Sequence, residues 1–286
     1  MKAKAVVEAM EKVVLHLDSK SEVYALSPSN LLTNEEILPF RSEMLRLLEK
    51  ILTHRFCYEG LYLLLETNIL DYILPEVKAM VGVSQPPEFH PEGDVFEHTA
   101  LTLFFLEERR FDIAMAALLH DVGKPLTYRV EERIRFDGHN VAALPLIRRI
   151  SERFCLDERT RELSLFVAKE HMRLLDAREM RPGRLRNLLM HPLFEGLLRV
   201  WYADILASYG DLGDYWFVKE KFDEYKASRV TEPLLVSGDD LISAGYSPGP
   251  VFKKILEAVR EAQSRREIRN REDALEFIRQ RFGNLK

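Results

Sequence analysis

The sequence predicts an all-α protein. Apolar residues recur at three- and four-residue spacing along almost the whole chain, and runs of alternating β-branched and polar residues are scarce. With 47% hydrophobic and 30% charged residues over 286 positions, there is enough apolar material for one large domain or two smaller ones.

The first helix is read from Val6, Val7, Met10, Val13, Val14 and Leu17, with Lys4, Glu8, Glu11 and Lys12 between them. This is an amphipathic helix and not an export signal, because the apolar residues fall on a face instead of in a block. Ser19–Phe40 reads as a connector: Ser27, Pro28, Ser29 and Asn30 form turns, and Thr33 caps a short helical stretch containing Glu35 and Glu36. Helices follow from Arg41 through Leu52, over Glu59–Glu66 and over Asn68–Leu74, the last closed by Pro75. The run Gln85-Pro86-Pro87-Glu88-Phe89-His90-Pro91 is a rigid break, since each proline restrains itself and the residue before it.

Beyond the break, helices are expected over Val95–Arg109, Phe111–Asp121, Asn140–Phe154, Glu158–His171, Pro182–Met190 and Pro192–Tyr209. Thr127–Phe136 forms at most a short hairpin. A second break spans Thr231–Pro250, and two charged helices, Val251–Arg265 and Arg271–Arg281, close the chain. No run approaches the roughly 18 apolar residues of a membrane span. Cys57 and Cys155 form no spacing motif, which points to a reducing cytoplasm. The net charge of −5 does not favour polyanions, so any nucleic-acid contact needs a local basic patch.

Chemistry concentrates around Ala117-Leu118-Leu119-His120-Asp121-Val122-Gly123-Lys124-Pro125, where an apolar helix ends in adjacent His and Asp. His98 precedes it on a helix with an apolar face; His139, His171 and Asp204 follow, each on or beside a separate helix. Taken singly, His98 reads equally as a satisfied histidine, Asp204 as a carboxylate paired with an arginine, and His171 as a helix C-terminal cation. His90, close to the motif, suits a rim or packing role better than ligation.

Together, in the order His98, His120-Asp121, Asp204, these residues resemble the HD superfamily of metal-dependent phosphohydrolases, with His139 and His171 matching the extra histidines of its two-metal members. A closer resemblance covers most of the chain after residue 40. Pro86 through Thr99, Pro233 through Leu241, Gly245, Pro248-Gly249-Pro250 and Glu272-Asp273-Ala274-Leu275 are similar to the HD-containing part of bacterial tRNA nucleotidyltransferases, the CCA-adding enzymes.

The resemblance implies an HD helical core at 89–230, an N-terminal helix and connector at 1–40, a neck-like segment at 41–88 and a helical tail at 231–286. It also shows a departure. Nothing before Arg41 supplies the Gly-Ser loop or paired aspartates of that family's polymerising head, and 40 residues are too few to build it. CCA addition by this chain alone is not expected.

In the two-metal reading Asp121 bridges, His98, His120 and Asp204 complete one site, and His139 and His171 the other, with ions about 3.5–4 Å apart. Imidazole-rich ligation favours Mn, Fe, Co, Ni or Zn over Mg, in one or two ions. Lys124 is assigned to substrate phosphate. Arg173, Arg181 and Arg184 are candidates for a phosphate or RNA path, and equally for a solvated face.

The implied activity is phosphomonoester or phosphodiester hydrolysis on nucleotides or RNA ends, 2′,3′-cyclic phosphates included. The competing reading is an RNA-binding module, with tRNA as the ligand and a separately encoded nucleotidyltransferase head as the partner. A third reading, a piece of a longer enzyme, is disfavoured by Met1 and the helix after it.

Overall fold

A computed structural model describes residues 2–27, 32–231 and 233–283. The chain begins with α1 (Lys2–Ser19), whose buried face is Ala3, Val6, Val7, Ala9, Met10, Val13 and Leu17, as the amphipathic pattern requires. Pro28, Ser29 and Asn30, read as turn formers, lie outside the described residues. Thr33 caps α2 (Asn34–Ile37) in a capping box: its hydroxyl accepts from the Glu36 amide, and the Glu36 carboxylate accepts from the Thr33 amide.

Helices α3 (Arg41–Leu52), α4 (Cys57–Glu66) and α5 (Ile69–Ile73) follow. Pro75 does more than close α5. It stands at the first position of a further short helix, α6 (Pro75–Lys78), where its missing N–H costs nothing.

Next come α7 (Val95–Phe104), α8 (Phe111–Leu119) and α9 (Lys124–Thr127). The strands β1 (Arg129–Val130) and β2 (Ile134–Arg135) pair antiparallel, with Arg129 opposite Arg135, and make the only sheet among the described residues. The protein is thus essentially all-α. The remaining helices are α10 (His139–Phe154), α11 (Glu158–Glu170), α12 (Pro182–Leu189), α13 (Phe194–Ala207), α14 (Gly213–Thr231), α15 (Gly238–Ser243), α16 (Pro250–Ser264) and α17 (Arg271–Phe282). None of the described helices is long and apolar enough to cross a membrane.

Two findings correct the sequence reading. α7 stops at Phe104 instead of continuing to Arg109, because Leu106-Glu107-Glu108-Arg109 lies outside the helix and Arg109 bonds back to the Phe104 carbonyl. The interval Tyr209–Thr231, given no element, holds the long helix α14.

The chain divides into two compact units, residues 1–178 with 192–216, and residues 179–191 with 217–286. In the first unit α8 is the buried centre: every residue from Asp112 to Leu119 is buried, so it is apolar on all sides rather than striped. It packs on α11, α11 packs on α10, and α7 packs on α13. The α4 hydroxyls of Tyr58 and Tyr62 both donate to Glu97, tying α4 to α7. The second unit has its own core of Val236, Leu241, Tyr246, Ile255, Val259, Ala262, Ile268, Ala274 and Ile278. Its short helix α15 opens on a Ser237–Asp240 capping box inside the stretch read as a break.

Candidate metal centre

Five helices bring six ligand-type side chains together in the first unit. Asp94 caps α7, its carboxylate accepting from the Glu97 amide at 2.8 Å, and this sets the turn that carries His98. His120 terminates α8, and Asp121 follows it. His139 opens α10 directly after Gly138, whose φ of 80° is a left-handed conformation suited to glycine. His171 ends α11, and Asp204 projects from α13.

Each histidine is held by its Nδ1. His120 Nδ1–H donates to the Ala117 carbonyl at 2.7 Å and His139 Nδ1–H to the Phe136 carbonyl at 2.9 Å. His171 Nδ1–H is shared between the Val167 and Ala168 carbonyls, both at 3.1 Å. His98 Nδ1–H goes to Glu92 Oε1 at 2.7 Å. A carbonyl only accepts, so it fixes the proton on Nδ1 and turns the Nε2 lone pair the other way.

The Nε2 atoms converge on two carboxylates. His98 Nε2 lies 2.9 Å and His120 Nε2 3.8 Å from Asp204 Oδ1. Asp121 spans the group: His120 Nε2 is 3.2 Å from its Oδ2, while His139 and His171 Nε2 are 3.4 and 3.5 Å from its Oδ1. Two ligand sets result, His98–His120–Asp204 and Asp121–His139–His171, each with ligating atoms within 4.8 Å of one another.

The electrostatics call for a cation. Burial works against ionising Asp121, yet Lys124, His120 and His171 hold its carboxyl well below the usual range. Asp204 is likewise lowered, burial being outweighed by His98 and His120. The carboxylates draw protons in return. Burial disfavours His98⁺, but Asp204 and Glu92 raise it to about 9, and Asp121 raises His171 in the same way. His139 goes down to about 4, through burial and the positive charges of His171 and Lys124. A divalent ion would meet the same demand in place of those protons.

The fit is also visible atom by atom. His98 Nε2, His120 Nε2 and Asp121 Oδ1 are buried with no hydrogen-bond partner among the described residues. A buried polar atom left unmatched costs about 1–3 kcal/mol, and a cation held in each ligand set would match these lone pairs. Four imidazoles and two carboxylates form a donor set suited to Mn, Fe, Co, Ni or Zn more than to Mg. The most open members are Asp204 and His139, with side chains 17% and 8% exposed, so the centre meets solvent on their side.

Lys124 is buried, its ammonium 2.5 Å from Asp121 Oδ2 and 2.6 Å from Gln85 Oε1. It is therefore part of the centre's own charge balance. Arg173 pairs with the buried carboxylate of Glu170, and Arg181 and Arg184 are exposed residues of the second unit. Sequence reasoning missed Glu92 and Gln85. Glu92 sits six residues before His98 across a turn that periodicity does not describe, and Gln85 is 39 residues from the lysine it holds.

Residues 94–207 match the HD domain family. The chain carries an HD domain. Among curated proteins, the "Multifunctional CCA protein" of Halorhodospira halophila is 40% identical over 134 residues, 46% of this chain and 31% of that protein. The "CC-adding tRNA nucleotidyltransferase" of Thermus thermophilus is 29% identical over 256 residues, 87% of this chain and 58% of its own length. The "Multifunctional CCA protein" of Nitrosospira multiformis is 37% identical over 130 residues, again 31% of its length. The chain thus spans between about a third and somewhat over half of these relatives. The HD domain holds all six ligand-type residues.

Proposed function

We propose that the HD centre holds one or two divalent transition-metal ions and hydrolyses phosphoesters of nucleotides or RNA ends, 2′,3′-cyclic phosphates among them. The observation that carries this reading is the convergence of four imidazoles, all committed through Nδ1, on Asp121 and Asp204. His98, His120 and Asp204 would hold one ion and His139 and His171 the other, with one oxygen of Asp121 toward each set. Bound there, the metal supplies electrophilic pull on phosphoryl oxygens and a lowered water pKa.

The chain's own residues do the rest. Carbonyl and carboxylate acceptors behind the rings keep the Nε2 lone pairs aimed inward without reorganisation. Lys124 keeps positive charge at the edge of the centre and leaves Asp121 ionised. In a one-ion centre, His139 and His171 would serve the phosphate as donors or move its proton.

A second reading rests on the similarity to the tRNA nucleotidyltransferase over 87% of the chain. In it the protein is an RNA-binding module, with tRNA as ligand and a separate nucleotidyltransferase head as partner. The second unit carries 17 Lys and Arg against 13 Asp and Glu, a net +4 within a chain of net −5, which suits a polyanion better than the first unit does.

The separating experiment is a Mn²⁺- and Ni²⁺-supplemented assay on bis-p-nitrophenyl phosphate and 2′,3′-cyclic AMP. Turnover that disappears in Asp121→Ala, with helicity retained, supports hydrolysis. No turnover by metal-loaded protein that still binds tRNA moves the conclusion to the binding module.

A further inference from the structure

The two ligand sets differ in what stands behind their imidazoles. Backbone carbonyls hold His120, His139 and His171. His98 is held differently, its amide donating to the Asp94 carbonyl at 3.0 Å. Its Nδ1 turns instead to Glu92, a carboxylate only 6% exposed. The same Glu92 oxygen accepts from His90 Nδ1 at 2.8 Å, while Glu92 Oε2 is buried with no hydrogen-bond partner among the described residues.

A carbonyl would suffice to choose the tautomer. A buried carboxylate is harder to retain, and what it adds is negative charge behind the ring, which raises the basicity of the ligating nitrogen. The remaining charges point the same way. Lys124 offsets Asp121, the only carboxylate in the second set, whereas Asp204 faces the imidazoles of His98 and His120.

We propose that Glu92 is a positioning residue that makes His98–His120–Asp204 the high-affinity half of the centre, so that this half fills before Asp121–His139–His171. The inference rests on the metal-centre reading above. It assigns the two halves unequal affinity and names the residue responsible.

The test is calorimetric titration of Mn²⁺ into the chelator-stripped chain at fixed pH, for wild type, Glu92→Gln, Glu92→Asp and His139→Ala. The tightest binding step is expected to weaken 10- to 100-fold in Glu92→Gln, to recover in part in Glu92→Asp, and to persist in His139→Ala. Unfolding of the stripped proteins, followed by circular dichroism, reports any loss of fold independently. A tight step that survives Glu92→Gln, or vanishes in His139→Ala, overturns the proposal and leaves the metal centre standing. Uniform weakening of every step together with a less stable stripped protein overturns it too, because that is a structural role. If wild type binds no Mn²⁺, the metal-centre reading itself falls.

Discussion

Arg159 Nε lies 2.7 Å from Asp112 Oδ2, so the first turn of α11 is clamped to the first turn of α8. Arg110 binds the same carboxylate from the other side. These two helices end in His171 and in His120-Asp121, so the clamp sets the base of the candidate metal centre from the far end of the helix pair.

Burial alone would raise the Asp112 carboxyl; Arg159 and Arg110 outweigh it and lower it. A depressed folded-state pKa means the contribution is complete above the ordinary carboxylate pKa and is lost as pH falls through the folded value. Asp112→Asn is expected to cost about 1–3 kcal/mol at neutral pH. Below about pH 4 the gap to wild type narrows. Urea unfolding at pH 7 and pH 3.5 measures both; an equal gap at the two pH values would contradict the account.

Gly123 fixes the entry of α10. A Cβ there would stand 2.1 Å from the His139 carbonyl oxygen and 2.6 Å from the Ala143 nitrogen, both backbone atoms. Gly123→Ala must therefore push away the turn that carries His139. The expected cost is about 1–3 kcal/mol, in the range of overpacked cores, with weaker metal binding at the His139 set. Gly183→Ala is the control, because an added Cβ there meets nothing within 4 Å. Unfolding and metal titration of both variants should separate them clearly.

Lys124→Met removes the ammonium from Asp121 and Gln85 but keeps an apolar stem over the Phe136 ring. Metal binding is expected to persist, since a competing cation has gone. Hydrolysis should fall by about 10²-fold, the scale of one lost electrostatic donor. Steady-state kinetics on bis-p-nitrophenyl phosphate check this, and unchanged turnover would remove Lys124 from the chemistry.

Much of this was legible in the residues, and the parts that were not have physical reasons. Helix periodicity located α1, α3 and α8 because one face, or in α8 every face, is buried. α14 was missed although Tyr215, Val218, Phe222 and Tyr225 mark a stripe, because Trp216 and Phe217 lie beside it and blur the pattern. The hairpin at Arg129–Arg135 was anticipated as a short one. Within the centre, side chains that carry ligand chemistry announce themselves by type. Their supports do not: Ala117, Phe136 and Val167 act through main-chain oxygens that no side chain encodes, and Glu92 looks like any surface glutamate until the fold buries it.

Metal content tests the central claim most directly. Wild-type protein stripped with chelator, re-equilibrated with Mn²⁺ or Ni²⁺ and desalted should retain one or two ions per chain by elemental analysis. It should also unfold at a higher temperature than the stripped form. Asp121→Ala, with its helical circular dichroism intact, should retain less than one. Wild type that holds no more metal than Asp121→Ala, with no thermal shift, would contradict a metal centre at His98, His120, Asp121, His139, His171 and Asp204.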